Sequence, residues 1–196
     1  MKNQTPQTIA ALLLLAAIIL YRLCIGFGAH EVWLYNFSPL AAVALCGAIY
    51  LPRRMAVIVP IAALLVSDLL LNWHYGAALV SGEMVSRYAA LAAVIGIGFA
   101  LRNRASLAAV LPASMLGSVI FYVVTNTSSW LTEPGYAKSA AGWVQALTTG
   151  QPGFAPTWTF FRSTLISDLL FSALFVLCMS AVRTTEPAVA AHPKAA

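Results

Sequence analysis

Charge is scarce in this chain: 9% of its 196 residues are Asp, Glu, Lys or Arg, while 61% are hydrophobic. Soluble domains carry about 25% charged residues. A chain with so few cannot present water-facing charge on every side, and a mean hydropathy of +0.84 points the same way. Cysteine is scarce too. Cys24, Cys46 and Cys178 are odd in number, lie in or at the end of apolar runs and share no metal-type spacing, so each reads as a small buried hydrophobe. The sequence lacks Gly-x-Ser-x-Gly, His-Glu-x-x-His, a phosphate-binding loop, a His/Cys cluster and any lipidation motif. His30 and Glu31 are adjacent rather than spaced for a metal site. These absences predict no catalytic residues, no metal site, no cofactor and no enzyme activity. The net charge of +5 does not predict a nucleic-acid partner, because the basic residues punctuate apolar runs and form no stripe with interleaved aromatics.

What the chain does have is long apolar runs. A transmembrane helix needs about 20 mainly apolar residues, and six candidates stand out: 8–24, 36–51, 55–73, 85–101, 106–125 and 160–182. The first is read as a span rather than a signal peptide, because Tyr21 and Arg22 follow it directly and five more spans come after. The second is short enough to be partly re-entrant. Ser38 and Pro39 suit its start, and Pro52 stops it. Pro60 and Pro112 predict local kinks in the third and fifth spans.

The predicted fold class is therefore an all-α integral membrane protein of six transmembrane helices. Residues 1–183 would form the membrane domain, and 184–196, polar and rich in alanine and proline, a disordered cytoplasmic tail. With both termini inside, the inner segments hold Lys2, Arg53, Arg54, Arg102, Arg104, Arg183 and Lys194. The outer ones hold Arg22, Arg87, Lys138 and Arg162, offset by Glu31, Glu83 and Glu133. That asymmetry favours N-in and C-in.

The two faces differ in bulk. Inner connections are tight basic turns, whereas outer ones are long and carry all of Trp33, Trp73, Trp130, Trp143 and Trp158, with His30 and His74. An aromatic belt should mark both interfaces, so tryptophans on one side favour a structured outer cap. Within its last loop, 139–149 reads as a short amphipathic helix with Ala140, Trp143, Val144 and Leu147 on one face, lying across the outer surface like a lid.

Two acidic residues sit inside apolar runs in nearly the same words, Leu-Val-Ser-Asp68-Leu-Leu and Leu-Ile-Ser-Asp168-Leu-Leu. A carboxylate in hydrocarbon costs about 2.5–3.5 kcal/mol on insertion scales, so both should face the bundle interior or water. Helical spacing extends them into stripes: Asn72 and Tyr75 follow Asp68, while Thr164 and Ser172 flank Asp168. Span five adds Ser114, Ser118, Tyr122 and Asn126, and these stripes should meet. Either the aspartates clamp helices through backbone or hydroxyl groups, or they line a ligand or proton path. Arg22 and Arg162 are the candidate partners. Ala44-x3-Ala48, Ala89-x3-Ala93 and Ser114-x3-Ser118 permit close helix approach.

Asn36-Phe37-Ser38-Pro39-Leu40-Ala41-Ala42-Val43-Ala44-Leu45, then Pro60 and Ser67-Asp68-Leu69, resemble a family of uncharacterised bacterial membrane proteins. Thr125-Asn126, Trp130-Leu131, Tyr136-x-Lys138-x2-Ala141-Gly142 and Ser167-Asp168-Leu169-Leu170-Phe171 fit the same pattern, over about residues 34–180. That family is similar in helix number, size and topology to the substrate-binding S components of energy-coupling factor vitamin transporters. The resemblance implies capture of a vitamin-like solute at the outer face and association with a transmembrane coupling subunit and ATPases. The Ala-x3-Ala contact typical of the first helix of S components is absent here, and Ala44-x3-Ala48 on span two is the nearest match.

The functional expectation is a transport protein whose solute contacts come from Trp33, Tyr35, Asn36, Asn72, Trp73, His74, Asn126 and Trp130. Asp68, Asp168, Ser114, Ser118, Tyr122 and Thr164 would form the buried polar set. The rival expectations are a structural or assembly protein whose cap meets a membrane partner, and a solitary proton-coupled carrier using Asp68 and Asp168.

Overall fold

A computed structural model describes residues 5–28, 36–79 and 82–189. Among them the chain is helical throughout, with no strand: α1 (Thr5–Gly28), α2 (Leu40–Tyr50), α3 (Arg53–His74), α4 (Gly82–Ala100), α5 (Leu107–Thr132), α6 (Ala140–Leu147) and α7 (Thr157–Val189). Five of these, α1, α3, α4, α5 and α7, are long and apolar enough to cross a membrane. Several such helices in one chain suggest a multi-pass membrane protein.

The second expected span is different. Its helix has 11 residues, about 16 Å at 1.5 Å per residue, roughly half a hydrocarbon core of about 30 Å. The chain is not helical before Leu40: Pro39 disfavours helical backbone at the residue preceding it, and the stretch is taken up by tight turns, Ser38 N–H donating to the Asn36 carbonyl at 2.7 Å and Leu40 N–H to the Ser38 carbonyl at 2.9 Å. From Leu40 through Ile49 every residue of α2 is buried. A helix that is apolar on all sides is buried on all sides, and α2 packs against α1, α3, α4, α5 and α7.

Small side chains make that central position sterically feasible. A Cβ at Gly47 of α2 would sit 2.6 Å from Pro60 Cγ of α3, and one at Gly98 of α4 would sit 2.8 Å from the Leu45 carbonyl oxygen. Of the small-residue pairs, Ala44 and Ala48 are fully buried and so are Ser114 and Ser118, but Ala89 and Ala93 face outward. The expectation of three buried cysteines is corrected in the same way. Cys46 on α2 is buried, whereas Cys24 and Cys178 are exposed on the outer faces of α1 and α7.

Burying α2 leaves its end groups without water, and a helix leaves its first N–H and last C=O groups unsatisfied. Charged side chains from neighbouring segments meet both ends. Ala42 N–H donates to Asp168 Oδ1 of α7 at 2.9 Å. At the other end Arg102, just beyond α4, donates from Nε to the Ala48 carbonyl at 2.7 Å and from Nη2 to the Leu51 carbonyl. Anion at the N-terminus and cation at the C-terminus both match the helix dipole. Burial, and then the neighbouring Arg53 charge, lower the Arg102 pKa from its ordinary value, though a guanidinium stays charged at any physiological pH.

The two ends of the bundle are built differently. At one, residues 51–52 and 101–106 form tight turns, and the apolar core fills that half with Leu15, Leu45, Val94, Val110, Phe175 and Met179. The other end, the cap end, holds α6 and the long connection after α5. There Ser139 Oγ accepts from Gly142 N–H and starts α6. Trp143 Nε1 donates to Thr127 Oγ1 at 2.9 Å, and Tyr122 OH to the Leu147 carbonyl. The amphipathic reading of α6 picked the wrong face, since Gly142 and Ala146 are buried and Trp143 and Val144 are exposed. Small residues allow close docking on α5, which turns the bulky ones outward. Finally, α7 continues to Val189, past the expected domain boundary at 183. Residues 190–196 lie outside the described residues.

Candidate functional site

The alternation of helices brings the C-terminal parts of α1 and α5 and the N-terminal parts of α2, α4 and α7 to the cap end. Between them lies a cavity of about 270 Å³, just below the range of about 300–1,000 Å³ for ligand pockets. One wall is polar and charged, with Arg22 of α1, Ser38 before α2, and Glu83, Ser86 and Arg87 of α4. The part of the lining drawn from α5 and α7 is aromatic and hydroxylic, with Phe121, Tyr122, Thr125 and Asn126 of α5 and Phe160, Phe161 and Thr164 of α7. Tyr122 and Phe161 stack with ring centroids 4.5 Å apart.

Asp68 sits behind the charged wall, 2% exposed. Its Oδ1 accepts from Arg22 Nη2 at 2.6 Å, and its Oδ2 accepts from Arg87 Nη1 at 2.9 Å and Tyr88 OH at 3.2 Å. Arg22 also donates from Nε to Ser38 Oγ at 3.0 Å and from Nη1 to Ser67 Oγ. Four segments are thus tied through one guanidinium and one carboxylate. Asp168 is fully buried. Besides Ala42 N–H it accepts from Ser118 Oγ at 2.7 Å, and Ser172 Oγ donates to Ser114 Oγ at 3.0 Å one turn deeper. The expected meeting of the α5 and α7 stripes is therefore present. The Asp68 and Asp168 networks share no hydrogen-bond partner among the described residues.

Of the expected solute contacts, Asn36 and Asn126 line the cavity. Asn72, Trp73, His74 and Trp130 do not. Asn72 Nδ2 donates to the Ala78 carbonyl at 3.2 Å, His74 packs edge-on against Phe27, and Trp73 is 74% exposed. Trp130 Nε1 donates to the Ala137 carbonyl at 2.8 Å, fastening the loop after α5. Trp33 and Tyr35, like His30 and Glu31, lie outside the described residues. From the buried polar set, Ser118, Tyr122 and Thr164 reach the cavity wall, and Thr164 Oγ1 also donates to the Asn36 carbonyl at 3.0 Å. The helix α6 contributes nothing to the wall and braces α5 instead. Arg22 is a carboxylate partner as expected, whereas Arg162 lies over the Trp158 ring.

Sequence reasoning missed Arg87, Phe121, Phe160 and Phe161. For Arg87 a signal existed: it stands two residues inside an apolar run, and an intramembrane arginine is by default a candidate site residue. The phenylalanines carried none, since an apolar ring facing a cavity reads the same as one facing lipid. Among the described residues no group of three His, Cys, Asp or Glu side chains is gathered as a metal ion would need.

The chain's residues 2–189 match the model of a family of unknown function, DUF6580. The chain belongs to that family. Comparison with curated proteins and with solved structures finds no match. Function in this family member is therefore argued from its cavity.

Proposed function

We propose that the chain is a membrane transport protein that captures a small solute at the outer face of the bacterial cytoplasmic membrane. The observation that carries this reading is the cap-end cavity, lined by arginines of α1 and α4 and by stacked aromatics of α5 and α7. It lies at a helix-end junction within a bundle, where ligand sites are commonly built. In this reading the segment 36–51, part turn and part helix, makes the sixth crossing beside the five long helices. The basic turns at Arg53, Arg54, Arg102 and Arg104 then lie inside, with both termini.

A short buried helix whose end faces a solute cavity is a feature of transporters with discontinuous helices. The finer likeness to S components of energy-coupling factor transporters rests on size, crossing number and the outward site. It would add a coupling subunit and ATPases as partners. Within this proposal the aspartates act as helix clamps rather than proton carriers, because each already has its oxygens engaged by donors.

The test is a thermal-shift screen of purified protein in detergent against water-soluble vitamins and related small solutes, followed by uptake in cells. Stabilisation by one chemical class with matching uptake supports the reading. A folded protein that no solute stabilises, retained in a complex with another membrane protein, would favour the assembly role instead.

A further inference from the structure

Around the cavity two arginines face two carboxylates, Asp68 and Glu83, but among the described residues only Asp68 is in contact with either arginine. Two guanidiniums, Arg22 and Arg87, share the single carboxylate of Asp68. Arg22 spends its donors on Ser38, Ser67 and Asp68. Arg87 spends Nη1 on Asp68 and has no other partner among the described residues. Its side chain is 28% exposed and lines the cavity, so its unused N–H groups border the space a ligand would fill. Arg87 thus shares its one contacting carboxylate with Arg22 and keeps free donors toward the cavity, which favours an acceptor of negative charge beside it.

The remaining wall narrows the choice. Glu83, one turn before Arg87 on the same face of α4, is exposed at the rim and makes no ion pair among the described residues. With Asp68 behind the arginines and Glu83 at the mouth, a second negative charge on the ligand would meet like charge. A singly charged anion fits better than phosphate. Planarity suits it too, since a guanidinium fork matches a carboxylate in two parallel hydrogen bonds. The α5–α7 lining holds Phe121, Phe160 and the stacked pair Tyr122–Phe161, a wall that favours an aromatic body over a polar one.

Resting on the solute-binding reading above, we propose that the cavity binds a small aromatic monocarboxylate, its carboxylate on Arg87 and its ring against the α5–α7 aromatic wall. Asp68, held at Oδ1 by Arg22 and at Oδ2 by Tyr88, keeps the Arg87 guanidinium in place at the cavity.

Benzoate, benzamide, benzylamine, octanoate and inorganic phosphate, titrated onto the purified full chain and followed by thermal shift and calorimetry, test this. The expected result is stabilisation by benzoate that rises with concentration, with little from the others. Arg87→Gln should weaken benzoate about 10- to 100-fold, the loss of a charge-assisted pair. Equal stabilisation by benzamide or benzylamine overturns the anion assignment while leaving a solute site. Stronger binding of octanoate or phosphate overturns the aromatic or the monocarboxylate part respectively. Undiminished benzoate binding in Arg87→Gln also overturns it. Should that variant fail to fold, the benzoate–benzamide comparison on the unmodified chain decides. If benzoate has no effect the assignment falls, and a broader neutral and cationic panel then shows whether the solute-binding reading falls with it.

Discussion

Residues 65–70 and 165–170 spell almost the same peptide, yet their aspartates live in opposite surroundings. Asp68 is ringed by side-chain donors, two of them arginines that border a cavity. Asp168 is sealed between helices and answers a backbone N–H at the start of α2 and a serine hydroxyl. The preceding serines diverge as well: Ser67 Oγ donates to the Leu64 carbonyl and accepts from Arg22, while Ser167 Oγ is buried with no hydrogen-bond partner among the described residues. The difference teaches that a carboxylate in an apolar helix is tolerated by whatever donor the fold brings to it. A cation and a helix N-terminus are two different answers to the same desolvation problem.

That comparison can be broken most severely at Asp168. Replacing it with alanine leaves the buried Ala42 N–H without an acceptor, about 1–3 kcal/mol, and empties side-chain volume sealed between helices, which adds a cavity cost; Ser118 Oγ keeps the Ser114 carbonyl at 3.0 Å. We expect Asp168→Ala to lose about 4 kcal/mol in unfolding measurements in detergent, with Asp168→Asn, which keeps an acceptor oxygen for Ala42, losing about half of that. Equal and small effects of the two substitutions would show that α2 does not depend on this contact.

Arg22→Ala removes the more buried of Asp68's cations and frees Ser38 and Ser67 at once. A loss of about 3 kcal/mol is expected, the scale of breaking a buried pair from one side. Because Arg87 remains, the loss should be smaller than for Asp168→Ala; the reverse order would mean that the ion pairs, not the helix cap, organise the bundle. At the far end of α2, Arg102→Ala strips the donors from Ala48 and Leu51 and should cost about 2 kcal/mol. Ser139→Ala, at the start of α6, should cost about 1 kcal/mol. Its effect should appear as faster amide exchange confined to the cap.

Much of the bundle was legible before any coordinates. Apolar runs bounded by Pro52 and by the Arg102–Arg104 turn located the long helices, because a run of about 20 apolar residues has few alternatives to a membrane helix. The ladder Ser114, Ser118, Tyr122 and Asn126 pointed inward, and its junction with Asp168 and Ser172 followed from helical spacing. The site was only partly legible. Asn36, Asn126, Tyr122 and Thr164 were found because polar residues near the ends of apolar helices stand out. Trp73, His74 and Trp130 stand out for the same reason, yet in the fold they serve the flank and the loop.

The sequence by itself determined that this chain is a bundle of apolar helices carrying two embedded carboxylates, because composition and period 3.6 are local properties of a chain. Only the tertiary structure decided that residues 40–50 form a short central helix with a charge at each end. It alone decided that Arg87 faces a cavity rather than the headgroups, and which carboxylate meets a guanidinium and which a helix terminus. Those outcomes depend on which helices become neighbours, and partners such as Asp168 and Ala42, 126 residues apart, leave no local pattern to read.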